Sequence, residues 1–408
     1  MPLLETRVED ERVQFVAEWR RLGEPRGEFA ELCRQYGVSR KTGYKWLEWY
    51  ATEGPAGLAD RSRRPHSNAR ALSPETVELL LAQRSAQPTW GARKLRRRLA
   101  ELDPQAPLPA ASTIGDLLLR HGLIRAARKR RRASAKCSLL GLTPMEAAND
   151  VWCADFKGWW LCADGQRCEP FTLMDGASRF LLRCQAVEHK DIVTVQRIFE
   201  GAFGEFGLPR VIRTDNGPPF AAPGLSGLTA LSIWFIKLGI QPERIAKGQP
   251  QQNGRLERLH KTLKEDTAQP TASTVRQQQK RLDQWRDCYN HERPHEALDY
   301  ATPASCYQPS AQRLPGRLPR MTYPAGVWPR PVSRGGDIRW DRGLIDVGSA
   351  LAGETCGWAP LDPEERYWQL YFGRLPLAIF DFDHSIWLGA NEERRIAKRY
   401  AEVPSWHW

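Results

Sequence analysis

The sequence predicts a multidomain chain with all-α modules at its N-terminus, a mixed α/β middle and a small all-β tail. Three observations carry this. Up to about residue 124, apolar residues recur at helical spacing. Near residue 150 short β-branched and aromatic runs begin to alternate with helical ones. Beyond residue 310 prolines punctuate the chain and short Trp- and Phe-rich runs follow. At roughly 100–200 residues per domain, 408 residues leave room for several cores.

The first helix runs from Val8 to Leu22, with Val13, Val16, Trp19 and Leu22 at helical spacing. Residues Glu28–Tyr50 then have helix-turn-helix grammar. Gly37 can take the left-handed turn that ends a short helix. Val38 plugs the space between helices, and Ser39 is a good N-cap. The helix that follows buries Trp46, Leu47 and Tyr50. It leaves Arg40, Lys41, Tyr44 and Lys45 outward at its N-terminal end, where a recognition helix meets base edges. Residues 54–70 are a Gly/Pro/Arg-rich linker. Ser73 and Pro74 start a second helical module, continued by Trp90-Gly91-Ala92 with its Arg93–Arg98 cluster and by a helix over 111–121. The expected domains are therefore 1–60 and 71–124, followed by a basic linker, 125–144. That linker holds Arg128, Lys129, Arg130, Arg131 and Arg132, a run suited to tracking phosphates.

The next domain spans 145–310. Val151–Phe156, Pro170–Met174 and Phe180–Val187 read as strands, and Asp191–Phe206 as an amphipathic helix. Val211–Thr214 is a strand, Leu228–Leu238 a helix, Ile240–Ala246 a strand and Gln251–Thr267 a helix. This βββαβαβα order implies one mixed sheet covered by helices. Pro315 to Pro331 form a linker, and a small all-β domain fills 325–408, with strands at Asp337–Trp340, Tyr367–Phe372, Leu377–Phe382 and Ser385–Leu388.

The formal charge is +12. Residues 1–150 carry 27 Lys/Arg against 18 Asp/Glu, so most of the excess lies there. A basic front before a near-neutral remainder favours a nucleic-acid grip joined to a working domain. The nine cysteines include no Cys-x-x-Cys pair, which argues against a disulfide framework or a Cys-rich zinc site and fits a reducing cytoplasm. The acidic N-terminus is unlike a signal peptide. The most apolar run, Leu228–Ile236, is too short to span a bilayer.

Three acids stand out by position. Asp155 lies in the first strand of the mixed sheet, Asp215 ends the fourth before a Gly turn, and Glu257 lies on the helix from Gln251. With the first and fourth strands adjacent, the three carboxylates converge. Such a cluster repels itself, and some members stay protonated unless cations neutralise them. Hard oxygen donors suit Mg²⁺ or Mn²⁺. Two ions about 3.5–4 Å apart clamp the attacking and leaving oxygens of an in-line phosphoryl displacement.

At these residues the chain resembles insertion-sequence DNA transposases of the retroviral-integrase (DDE) superfamily. Asp155 closes Val151-Trp-Cys-Ala-Asp155, Asp215 sits in Arg213-Thr-Asp-Asn-Gly217, and Glu257 ends Pro250-Gln-Gln-Asn-Gly-Arg-Leu-Glu257. Tyr289-Asn-His-Glu-Arg-Pro-His-Glu-Ala-Leu298 and Thr302-Pro303 resemble the tail signature of bacterial members. The resemblance implies a ribonuclease-H-like catalytic core, with Asp155, Asp215 and Glu257 as catalytic and metal-binding residues, two Mg²⁺ or Mn²⁺ ions, and cleavage at element ends followed by strand transfer into target DNA. It implies double-stranded DNA as partner, bound at the terminal inverted repeats. It implies at least a dimer on DNA, and a bacterial cytoplasmic, nucleoid-associated location without a membrane. Lys261 and Lys264 are expected to touch phosphates, and Asn253 the DNA end. One departure is the spacing: 41 residues separate Asp215 from Glu257, more than in close relatives, with the extra length around 221–229.

Blander readings compete. A domesticated, inactive copy would keep the fold and bind DNA only. A ribonuclease-H-like nuclease would cut without joining. Asp175 and Arg179 read as a structural ion pair. His291 and His295 have metal-like spacing, but Pro294 breaks the helix between them. Asp381-Phe-Asp-His384 reads as an outward strand face.

Overall fold

The computed structural model describes residues 8–23, 27–60, 72–105, 108–124, 141–340 and 343–400. The chain divides into two compact units, 1–73 and 74–408.

In the first unit, helices α1 (Val8–Arg21), α2 (Phe29–Gln35) and α3 (Arg40–Glu53) enclose a core of Phe15, Val16, Trp19, Phe29, Leu32, Cys33 and Leu58. The face of α1 is rotated from the one its spacing predicts. Phe15 is fully buried, while Val13 and Leu22 are largely exposed. Gly37 has φ +63°, and the Ser39 hydroxyl accepts the Thr42 N–H at 3.2 Å, so the turn and cap form as expected. Gly43 lets α3 close on the core, because a Cβ there would meet Phe29, Cys33 and Phe15 at 2.8–2.9 Å. Trp46, Leu47 and Tyr50 are half-buried at the edge of this core.

The second unit opens with α4 (Pro74–Ala86), α5 (Ala92–Leu102) and α6 (Ala111–Arg120), which bury Leu80, Trp90, Leu95, Leu99, Ile114 and Leu118. Arg98 ties this helical group to the following core through Glu292, at 3.0 Å.

The core sheet contains β1 (Val151–Phe156), β2 (Trp160–Leu161), β3 (Arg167–Asp175), β4 (Leu181–Val187), then, after helix α7 (Ile192–Phe206), β5 (Val211–Thr214), and after α8 (Ala230–Lys237), β6 (Gln241–Arg244). Its order is β2-β3-β1-β5-β6 with β4 on β3. Strands β1, β3 and β4 pair antiparallel, and β1, β5 and β6 parallel. One face carries α7 and α8 over Phe171, Phe199, Phe203 and Trp234. The other carries α9 (Gly254–Thr267) and α10 (Val275–His291) over Cys153, Met174, Leu256, Leu259 and Leu263. A short α11 (Pro303–Cys306) closes this part.

The tail holds β7 (Trp328–Pro331), β8 (Asp337–Trp340), β9 (Gly343–Asp346), β10 (Thr355–Pro360), β11 (Tyr367–Phe372), β12 (Leu375–Asp381) and β13 (Ile386–Trp387). Five form a sheet in the order β13-β12-β11-β10-β7, and β8 pairs with β9. The end of the expected proline linker is strand β7, which tolerates Pro329 and Pro331 because it lies at the sheet edge. A terminal helix, α12 (Ala390–Arg399), adds to the expected all-β tail. The outward reading of Asp381 does not hold: it is 3% exposed and bonds Arg366 at 2.9 Å and His384 at 2.9 Å. Burial alone would raise its carboxyl, but these bonds outweigh burial and hold it at about 2. Among the described residues no helix is long and apolar enough to cross a membrane.

Candidate active site

Strands β1 and β5 run parallel, with Val151 opposite Val211, so their C-terminal ends lie side by side. Asp155 sits near the end of β1, and Asp215 directly follows β5. Groups at the carboxyl ends of such strands line the crevice where open α/β sheets bind ligands.

The Asp155 carboxylate accepts the Phe156 N–H at 2.7 Å. Burial first, and then the negative charge of Asp215, push its pKa up to about 7. The Asp215 carboxylate accepts the Gly217 N–H at 3.1 Å. A Cβ at Gly217 would stand 3.1 Å from Asp215 Oδ2, so the glycine keeps that oxygen clear. Asn216 donates to the Ile245 carbonyl at 2.7 Å and pins the loop beside β6. Arg213 of the same motif points inward. It is 2% exposed, pairs with Glu243 and donates to the Thr143 carbonyl at 2.6 Å.

Glu257 stands exposed in the first turn of α9 and forms no hydrogen bond or ion pair among the described residues. One turn on, His260 is buried, its Nδ1 3.9 Å from Asp155 Oδ2 and its Nε2 2.7 Å from Thr172 Oγ1. Thr172 in turn donates to the Asp155 carbonyl at 3.1 Å. Burial, then Lys157, push His260 down to about 3, so its ring is neutral. With the Thr172 proton committed to Asp155, the ring proton belongs on Nε2. Residues 257 and 260 share a helix face, so the face bearing Glu257 turns toward Asp155. Lys157 stands two residues after Asp155, and its ammonium is lowered by burial and then by Lys264.

The donor chemistry fits a hard divalent cation. Two aspartates adjoin, one is reluctant to ionise unaided, and a third acid lies on the facing helix. Among the described residues no three His, Cys, Asp or Glu side chains stand together closely enough to hold a metal ion, so Glu257 is not drawn up to the two aspartates.

The other sequence-derived candidates fall as follows. Arg40, Lys41, Tyr44 and Lys45 are all exposed on the first half of α3. Arg128, Lys129, Arg130, Arg131 and Arg132 lie outside the described residues. Lys261 and Lys264 are exposed, Lys261 lying 3.8 Å from Glu265. Asn253 is 4% exposed. It makes no capping bond, and its Oδ1 is buried without a partner. The expected Asp175–Arg179 ion pair is absent among the described residues. Asp175 instead takes the N–H groups of Ser178 at 2.8 Å and Asn149 at 2.7 Å. His291 bonds Asp287 at 3.1 Å, and the His295 ring packs edge-on against Tyr289. Sequence reading missed His260, Thr172 and Lys157. His260 was findable, three residues after Glu257 on its face. Thr172 was not, because it faces Asp155 only through the β1–β3 register.

Family models match both the helical and the mixed-sheet parts of the chain. Integrase core domain models match residues 145–250 and 238–303. A helix-turn-helix domain model matches 11–66, and a homeodomain-like domain model 42–118. The chain is similar to an uncharacterized 31.7 kDa protein of insertion element IS407 from Burkholderia multivorans, 27% identical over 43% of this chain and 62% of that protein. It is 28% identical to an uncharacterized 39.2 kDa protein of insertion element IS476 from Xanthomonas euvesicatoria, over 59% of this chain and 65% of the relative. The transposase InsD of IS2 elements from Escherichia coli is 29% identical over 53% of this chain and 72% of its own length. The chain thus spans less than two thirds of the first two relatives. The chain carries an integrase core behind helix-turn-helix domains, and it is similar to insertion-element proteins.

Proposed function

We propose that this protein is a DNA transposase that grips the inverted repeats of its element and cleaves and joins DNA at Asp155, Asp215 and Glu257. The observation that carries this reading is the adjacency of Asp155 and Asp215, tight enough that Asp215 helps raise Asp155 to about 7, under the α9 face that bears Glu257. A half-buried carboxylate facing a second one is costly unless a cation shares them.

The three acids would hold Mg²⁺ or Mn²⁺, two ions in the full site, and the metal supplies charge neutralisation and activation of the attacking oxygen. The chain's own residues do the rest. Gly217 and Asn216 fix the direction of Asp215, and the Thr172–His260 bond seats α9 against Asp155. Lys157 and Lys264 bring positive charge to the scissile phosphate, and Lys261 to its neighbour. In the first displacement, a water oxygen bonds phosphorus and the 3′-oxygen at the element end leaves. In the second, that 3′-hydroxyl attacks a target phosphodiester and the target 3′-oxygen leaves. The modules at 1–60 and 71–124, with the basic stretch 125–144, carry the DNA grip, and 145–310 carries the chemistry. Arg40, Lys41, Tyr44 and Lys45 face the major groove, and the run Arg128–Arg132 tracks phosphates. Joining two ends calls for at least two copies on bacterial nucleoid DNA in the cytoplasm.

The test is a cleavage and strand-transfer assay on a duplex ending in the inverted repeats that flank the gene, with Mn²⁺. Asp155→Asn is expected to lose both products by at least 100-fold while end binding stays within about two-fold. Equal loss of binding and cleavage, or full activity, overturns the assignment.

A further inference from the structure

Where the second helical group meets the core, the structure encloses a recess of about 500 Å³. It opens beside α9, on a face next to the one carrying Glu257 and His260. Six cations line it: Lys94 of α5, Arg179 of the β3–β4 turn, Arg255, Arg258 and Lys261 of α9, and Arg293 after α10. Two are answered locally, Lys261 by Glu265 at 3.8 Å and Arg293 by Asp266 at 3.3 Å. Lys94, Arg179, Arg255 and Arg258 have no carboxylate partner among the described residues, although Arg255 donates to the Gly176 carbonyl.

This concentration of charge is under tension. Burial first, then Arg293 and Arg258, push the Lys94 ammonium down to about 8. Burial and Arg255 bring Arg179 down to about 10. Like charges collected in a recess destabilise the protein unless an anion joins them. Arg179 also sits at φ +65°, a left-handed conformation that glycine or asparagine would adopt more easily. A long cation kept in a strained position is an outlier of the kind found at working sites. Guanidinium forks match pairs of phosphate oxygens.

We propose that this recess is a phosphodiester-binding site for duplex DNA, in which Lys94, Arg179, Arg255 and Arg258 seat the backbone one helix face away from the carboxylates. The proposal rests on the DNA-processing reading above. A phosphate seated here fixes which bond of the duplex lies over Asp155 and Asp215, because α9 carries both the recess and Glu257. It also makes the second helical group and the core share one stretch of backbone.

The experiment uses the full chain, a labelled duplex and a salt series read by fluorescence anisotropy. The variant is the double substitution Lys94→Gln, Arg258→Gln, with Lys94→Arg, Arg258→Lys as the charge-keeping control. The Gln variant is expected to bind about ten-fold more weakly or worse. Its slope of log affinity against log salt should be shallower by about 1.8, close to 0.9 for each lost phosphate contact. Its DNA-free melting midpoint should equal or exceed the wild type's, since like-charge repulsion is relieved. The control should keep most of the slope. A Gln variant with the wild-type affinity and slope overturns the proposal. So does one that merely melts lower with an unchanged slope, because the cations then only brace the seam. If inorganic phosphate at constant ionic strength displaces the duplex from the wild type but not from the Gln variant, the recess is confirmed as the phosphate seat. If it raises the wild-type midpoint while the variant still binds DNA normally, the recess holds free anions and the proposal falls. A wild type that binds no duplex at any salt refutes the wider DNA reading instead.

Discussion

Asp155 makes the candidate site expensive to keep folded without a cation. Its carboxyl titrates at about 7 in the folded chain, against 3.8 ordinarily. Between these values the folded state holds a proton that the unfolded chain has released. The contribution of this group to stability therefore falls as pH rises from about 4 to about 7, and the full penalty stands above that. In metal-free protein, Asp155→Asn should accordingly raise the melting midpoint at pH 8 and change it little at pH 4. Divalent cation should raise the wild-type midpoint at pH 8 and leave the variant's unmoved. Calorimetric scans at the two pH values check both statements, and a variant that melts lower at pH 8 contradicts them. The motif residues were all legible in the sequence, but their division of labour was not. Arg213 shares the Asp215 motif, yet its guanidinium is buried against Glu243, and removing one partner of such a pair costs about 3–5 kcal/mol.

At the scale of elements, α10 shows how the tail motif serves the sheet. Strand β4 pairs only with β3 and leaves an edge. Two amides on α10, eleven residues and so about three turns apart, close that edge. Gln279 accepts the Ala186 N–H at 2.7 Å and donates to the Cys184 carbonyl at 3.0 Å. Asn290 does the same for Leu181, at 2.8 and 3.1 Å. Each side chain mimics a neighbouring strand and protects an exposed edge. Asn290→Ala would strand the buried Leu181 groups and is expected to destabilise the unit by about 1–3 kcal/mol. Asn290→Asp should fare no better, since it supplies no N–H for the Leu181 carbonyl. Urea unfolding monitored by tryptophan fluorescence reads both, and a loss below half a kcal/mol would contradict this role. The expected helices and strands of the mixed sheet came through in order because each has its own apolar period, whereas the short β2 and the polar helix α10 did not. The facing of α1 did not, since Val13 and Phe15 compete for one stripe and packing chose Phe15.

At the scale of the whole molecule, the stretch between Asp215 and Glu257 packs on the tail. Leu228 and Ile233, from this stretch, are buried with Trp358, Leu370 and Phe372 of the tail sheet. Lys237 of α8 pairs with Glu354 at 2.6 Å across the same seam. A chain ending at Gln312 would uncover these side chains, each worth roughly 1.5–3 kcal/mol of burial. It is expected to melt lower than the full chain and to bind an apolar dye such as ANS. An unchanged midpoint with no dye binding would show the tail to be independent of the core.

The sequence by itself determined the order of elements, the three acids and their motifs, and the uneven charge. Those properties reside in local periodicity and in residue identity. Tertiary structure alone decided that Thr172 and His260 seat α9 beside Asp155, that Leu228 and Ile233 pack on the tail, and that cations from four separate segments meet in one recess. These juxtapositions depend on strand register and helix rotation, which arise from packing between segments far apart in the chain, so no local pattern encodes them.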